Sequence, residues 1–112
     1  MYTNDKNTKL INLCIHPVNI MTEEGMVTIP PSGLIARCIR HNSIVGYVNG
    51  IPLTKEVIRG VVGLPDAEDG KMFIVSKMIK DYFPYRTDLV RVGPKVTSVN
   101  GKPVACTSLN VS

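Results

Sequence analysis

Arg37 is the residue whose placement most directly suggests chemistry. It follows the loop Pro30-Pro31-Ser32-Gly33, in which two prolines fix φ and a glycine opens backbone angles that other residues avoid. Such a loop offers backbone N–H groups and the Ser32 hydroxyl to an anion, and a guanidinium just beyond it can grip a phosphate bidentately. Strand alternation over 34–40 places Arg37 between Ile35 and Ile39 on one face. If that face is covered, the guanidinium needs a carboxylate, a carbonyl or an anionic ligand. A purely structural partner for Arg37 satisfies the same requirement.

Arg86-Thr87-Asp88 presents a similar choice. One outcome is a local ion pair pinning the loop; the other is Asp88 aiming Arg86 at a ligand. Tyr82, Phe83 and Tyr85 cluster nearby, and one exposed ring of such a group can stack on a nucleobase. His16, between Ile15 and Pro17, either bonds backbone or faces a ligand. Cys14, Cys38 and Cys106 are odd in number and lack a C-x-x-C pair, so free core thiols are expected and no metal site is. The acids at Glu23-Glu24 and Asp66 to Asp69 fall in turn-like segments. Phosphate-loop, dinucleotide, serine-elbow and zinc-protease signatures are absent, so neither an enzyme nor a cofactor is expected.

The elements that would position these residues are mostly strands. The chain has 112 residues, 44% hydrophobic and 20% charged, which suits one globular domain. Residues 1–9 are expected to form a flexible N-terminal arm, and residues 10–112 a single domain. Strands are predicted over 10–15, 18–21, 26–29, 34–40, 44–48, 51–62, 72–75, 89–92, 95–99 and 103–109. The dipeptides Asn49-Gly50 and Asn100-Gly101 mark tight hairpins, and Gly60 is a possible bulge. Ser76 is placed to cap one short helix at about 76–83, ended by Pro84, with Met78, Ile79, Tyr82 and Phe83 on its inner face and Lys80 outside. The expected class is α+β, a compact and mainly antiparallel β domain with one helix. Lys and Arg number 13 against 9 Asp and Glu, a net charge of +4. Without a basic run, that excess does not point to nucleic acid. No apolar stretch is long enough for a membrane helix, and the polar start lacks a secretory pattern.

Taken in order, seven segments form a recognisable series: Ile-Asn-Leu-x-x-His-Pro-Val (11–18), Pro-Pro-Ser-Gly-x-x-Ala-Arg (30–37), Val-Asn-Gly-Ile-Pro-Leu (48–53), Gly-Leu-Pro (63–65), Phe-Ile-Val-Ser (73–76), Arg-x-Asp-Leu (86–89) and Gly-Lys-Pro-Val-Ala-Cys-x-Ser-Leu (101–109). The series resembles a family of small proteins encoded by phages and prophages, departing from it at Cys14-Ile15, where Thr-Pro is more usual. In size and context the chain is similar to phage anti-defence sponges, such as the anti-Thoeris proteins that trap cyclic ADP-ribose isomers. The resemblance implies a cytoplasmic protein of the bacterial host cell, a homo-oligomer that sequesters a small nucleotide signal without cleaving it. Its binding residues would be Arg37 and Arg86 for phosphates, Ser32 and Gly33 as donors, Asp88, a stacking Tyr82 or Tyr85, and His16. The alternative is a protein-interaction module, either an inhibitor of a host protein or a phage structural component.

Overall fold

The computed structural model describes residues 7–112. Ten strands and one helix follow in order: β1 (Lys9–Asn12), β2 (Val18–Thr22), β3 (Gly25–Ile29), β4 (Arg37–Val48), β5 (Ile51–Val62), β6 (Lys71–Ile74), α1 (Lys77–Tyr82), β7 (Leu89–Val92), β8 (Lys95–Thr97), β9 (Pro103–Cys106) and β10 (Leu109–Asn110). Residues 1–6 of the expected arm lie outside the described residues. Lys9, its last residue, already pairs with Lys71 at the start of β1.

Alternation along β6 organises the body. Phe73 and Val75 enter one buried cluster with Leu13, Ile79 and Leu89, while Ile74 enters a second with Val18, Ile20, Val90 and Cys106. Side chains of a strand point to opposite faces in turn, so a strand apolar at every position is one covered on both sides. The central sheet runs β1-β6-β7-β10, and a second sheet runs β3-β2-β9-β8. The first cluster also takes Cys38 and Val61 from the base of the β4–β5 ribbon, and Phe83 from the end of α1. Fully burying a side chain such as Phe73 or Leu89 contributes about 1.5–3 kcal/mol.

The molecule is mostly β with one short helix, as expected of a small α+β domain. Four strand pairings are antiparallel (β2–β3, β4–β5, β7–β10 and β8–β9), and three are parallel (β1–β6, β6–β7 and β2–β9). The β6–β7 pair is parallel because α1 carries the chain from β6 back to β7 alongside it, a crossover no tight turn can make.

The largest departure from expectation is β4. Residues 34–36 are not strand, and the pieces foreseen at 34–40 and 44–48 are one 12-residue strand from Arg37 to Val48. It pairs with β5 along its whole length around Asn49 (φ +50°) and Gly50 (φ +77°), the two positive angles of a type I′ turn. Register shifts at Ile39/Arg40 and Ile44/Gly46 let the strand continue through polar residues by bulging. At its root Gly63 (φ +82°) leaves no room for a side chain, since a Cβ there would lie 2.1 Å from the Ile35 carbonyl oxygen. The ribbon accounts for a radius of gyration of 17.1 Å and extents of 57 × 39 × 27 Å, where a compact chain of this length has about 13 Å.

Two smaller corrections concern faces and breaks. In α1 the Ser76 hydroxyl accepts from the Ile79 N–H at 3.3 Å, so the cap forms as expected. The buried residues, however, are Ile79 and Lys80, while Met78 and Tyr82 are exposed. In a helix of six residues the entering and leaving chain sets the inward face, and a lysine stem covers apolar surface well. The strand expected over 103–109 breaks at Thr107-Ser108. Its end crosses to the central sheet as β10, with Gly93 N–H donating to Ser108 O at 2.9 Å.

Candidate functional site

Asn12 governs the segment that carries His16. It is buried, and its amide donates to the carbonyls of His16 (2.8 Å) and Ile29 (3.1 Å), while its Oδ1 accepts from the Cys14 N–H (2.9 Å). Its own carbonyl accepts from Ser32 N–H at 3.0 Å. One side chain thus folds residues 13–16 into a turn and ties that turn to the end of β3.

Past this turn, His16, Asn19 and Lys95 line a cleft of about 410 Å³ with Cys14, Pro17, Val18, Val92 and residues 103–106. No carboxylate lines it among the described residues. Asn19 and Lys95 come from β2 and β8, which hold them more firmly than loops would, and His16 comes from the β1–β2 turn that Asn12 braces. Cys14 is half-buried on the wall, and burial pushes its thiol pKa above the ordinary value. A raised thiol pKa stabilises the fold below the unfolded value and loses that contribution as pH rises through the folded one. Stability should therefore fall above about pH 9, and Cys14→Ala should flatten that fall in urea titrations. Cys14 should also alkylate more slowly than a free cysteine at pH 8, and more slowly still with the cleft filled.

A second cleft, of about 460 Å³, gathers Tyr85, Arg86, Thr87 and Asp88 with residues 67–72. Its electrostatics suit an anion poorly. Glu68 holds Lys71 at 2.8 Å, Asp69 adds a further carboxylate, and Arg86 is committed to protein partners. Its Nε donates to Asp88 Oδ1 at 2.9 Å, Nη2 to Oδ2 at 2.5 Å, and Nη1 to the Pro65 carbonyl at 3.1 Å. The hydrogen bonds that Arg86 donates to Asp88 raise the Arg86 pKa, so the guanidinium stays charged throughout the working range. The local pair foreseen for Arg86-Thr-Asp88 is formed. A phosphate grip by Arg86 would require breaking it.

The remaining sequence candidates lie apart from both clefts. Ser32 closes a small turn with its hydroxyl, accepting from Leu34 N–H at 3.2 Å, and Gly33 (φ +95°) is exposed in the same loop. Arg37 opens β4 exposed, not sandwiched between isoleucines, because Ile35 lies outside the strand. It has no ion pair or side-chain hydrogen bond among the described residues. Tyr82 is edge-to-face with Phe83 at 5.0 Å, and Tyr85 is the more exposed of the two tyrosines. Of the expected ligand-binding residues, the chain thus brings Tyr85, Arg86 and Asp88 together, sets His16 in a different cleft, and leaves Ser32, Gly33, Arg37 and Tyr82 outside both.

Asn19 and Lys95 are the cleft residues that sequence reasoning missed. Nothing in their local sequence marks them, because the cleft exists only once β9 pairs with both β2 and β8. Comparison with protein-family models, curated proteins and solved structures gave no match for this chain.

Proposed function

We propose that the protein binds and sequesters a nucleotide-derived anion, of the class of cyclic ADP-ribose isomers and related ADP-ribose or cyclic nucleotides, without cleaving it. The observation that carries this reading is the acid-free cleft lined by His16, Asn19 and Lys95. Its volume falls in the range of small-molecule sites, with an apolar wall and a few convergent donors. A lysine and an imidazole lining one cleft suit a phosphate. The Asn19 carboxamide accepts from the Thr28 hydroxyl at 2.9 Å and donates to the Val104 carbonyl at 3.5 Å, and shapes the wall between them. The resemblance to phage-encoded proteins supplies the biological setting, a phage anti-defence protein acting in the host cytoplasm. Arg37 remains available to an anion at the start of β4, whereas Ser32 is committed, its N–H to the Asn12 carbonyl and its hydroxyl to Leu34.

The test is titration calorimetry with cyclic ADP-ribose isomers, ADP-ribose and a cyclic dinucleotide, followed by mass analysis of the recovered ligand. A ligand that binds should be recovered intact. Each charge-assisted contact contributes about 1.5–3 kcal/mol, so Lys95→Glu should weaken binding by at least about tenfold and His16→Ala by a comparable factor. If none of these compounds binds, or Lys95→Glu binds as tightly as wild type, the assignment to this cleft is lost. A ligand recovered chemically altered would make the protein an enzyme.

The second reading is a protein-interaction module. The specific observation in its favour is the long β4–β5 ribbon, whose large apolar side chains are exposed along most of its length.

A further inference from the structure

The two faces of the β4–β5 ribbon differ in kind. The observed register places Arg37, Ile39, His41, Ser43 and Val48 of β4 on one face with Val62, Val57, Lys55, Leu53 and Ile51 of β5. Ile39, Val48, Ile51, Leu53, Val57 and Val62 are each between 40% and 61% exposed there. The charges on this face, Arg37 and Lys55, are both positive. Arg59 stands at the adjoining bulge. The opposite face also exposes Ile44 and Tyr47, but it carries the ribbon's one ion pair among the described residues, Arg40 Nε to Glu56 Oε1 at 3.4 Å, and packs into the core at its root through Cys38 and Val61. The acid-free apolar face is therefore turned away from the body at its root. A two-stranded ribbon with an uncovered apolar face is marginal in water, and patches of this extent mark contact surfaces.

A surface of matching chemistry lies elsewhere on the same chain. In the β2–β3 hairpin, Met21 and Met26 sit opposite each other, both exposed, on the face away from the buried Ile20. Beside them the turn carries Glu23 and Glu24, both exposed and without an ion pair among the described residues. Methionines adapt to varied partner shapes, and the two carboxylates complement Lys55, Arg59 and Arg37. Ribbon-on-ribbon stacking would instead bring like charges together.

We propose that the β4–β5 ribbon is an assembly arm, docking its apolar, basic face on the β2–β3 hairpin of a second copy of this chain and receiving that copy's ribbon in return. The receiving hairpin has strands of five residues, about 17 Å long, so the contact is a local one, centred on Met21, Met26 and the acidic turn, and takes only part of the ribbon face. The exchange does not rest on the nucleotide-binding reading, since the ribbon does not line the cleft, although the receiving hairpin face carries Asn19 of the cleft beside Met21.

The test is light scattering coupled to size exclusion, with native mass spectrometry, on the full chain and on surface variants whose folding is checked by circular dichroism. Wild type is expected to be a dimer or a higher even assembly. Glu23→Lys/Glu24→Lys should raise the dissociation constant by on the order of tenfold or more, as should Lys55→Glu/Arg59→Glu. Combining all four reversals on one chain should restore assembly, because the charges again oppose. Leu53→Asp should dissociate the dimer while leaving the thermal melt of the body in place. A monomer at high micromolar concentration overturns the proposal, as does an assembly that none of these variants weakens or a charge swap that fails to rescue. Ligand calorimetry on the same proteins keeps the two readings separate, since a failure of assembly leaves the Lys95 result unchanged.

Discussion

Asn12→Asp should destabilise the protein by about 3 kcal/mol at pH 7 and regain part of that loss below about pH 4. The substitution keeps shape and volume but exchanges the amide donor for a second oxygen. That donor serves two carbonyls, those of His16 and Ile29, in a site from which water is excluded. A carboxylate there faces two acceptors at hydrogen-bond distance with nothing to give them, and leaves both orphaned. The Oδ1 bond from the Cys14 N–H survives, which separates this effect from simple loss of the turn.

The sign of the pH dependence follows from the same geometry. Burial and facing carbonyls favour the protonated acid, so the folded pKa of the introduced carboxyl lies above its unfolded value. Stability is then greatest below the unfolded pKa and declines as pH rises through the folded one. Asn12→Ala should cost a similar amount with no such pH dependence, since it removes the donor without adding a titrating group. Urea unfolding of the three proteins at pH 7 and pH 3.5 makes the comparison, with wild type correcting for other groups. An Asn12→Asp protein within half a kcal/mol of wild type at pH 7 would show that the amide does not organise the 13–16 turn.

Asn12 also marks where the sequence stops being readable. Local signals were legible wherever a residue acts on its immediate neighbours. Asn49-Gly50 sets a hairpin through its own dihedral angles, Ser76 caps a helix three residues away, and the Arg86–Asp88 pair closes over one intervening residue. Asn12 acts on residues 16, 29 and 32 at once, and nothing about an asparagine inside an apolar run announces three partners. Sequence patterning gives two strands, 34–40 and 44–48, and leaves His41-Asn42-Ser43 between them. In the structure those residues pair across to Val57, Glu56 and Lys55, which strand propensity alone does not reveal. Helical spacing puts Lys80 off the apolar face, yet it is buried. The cleft joins residue 16 to residue 95, a juxtaposition made by the pairing of β9 between two strands distant in sequence.

Arg86→Met is expected to cost about 3 kcal/mol of stability, roughly 10–15 °C in melting temperature, while leaving nucleotide affinity within twofold. The pair is well shielded, with side chains 16% and 13% exposed, so little solvent screening offsets the loss. Removing the guanidinium leaves a shielded carboxylate without its bidentate partner and frees the Pro65 carbonyl. Three segments then lose their common tie: the exit from the ribbon at Pro65, the loop after α1, and the entry to β7. Asp88 is also placed where its carbonyl accepts from the Phe73 N–H at 2.8 Å, so slackness here reaches the β6–β7 register. Because the guanidinium pKa is raised, its contribution is present at every pH below its titration and should not vary between pH 5 and 9. A double change, Arg86→Met with Asp88→Leu, should recover much of the single-variant loss, as shielded ion pairs replaced by apolar residues often do. The cycle separates two roles that the sequence presents as equivalent. A tie between segments shows as lost stability with intact binding and as recovery in the double variant. A phosphate grip shows as lost binding with the melt unchanged, and that result would return the nucleotide site to the cleft around Tyr85, Arg86 and Asp88.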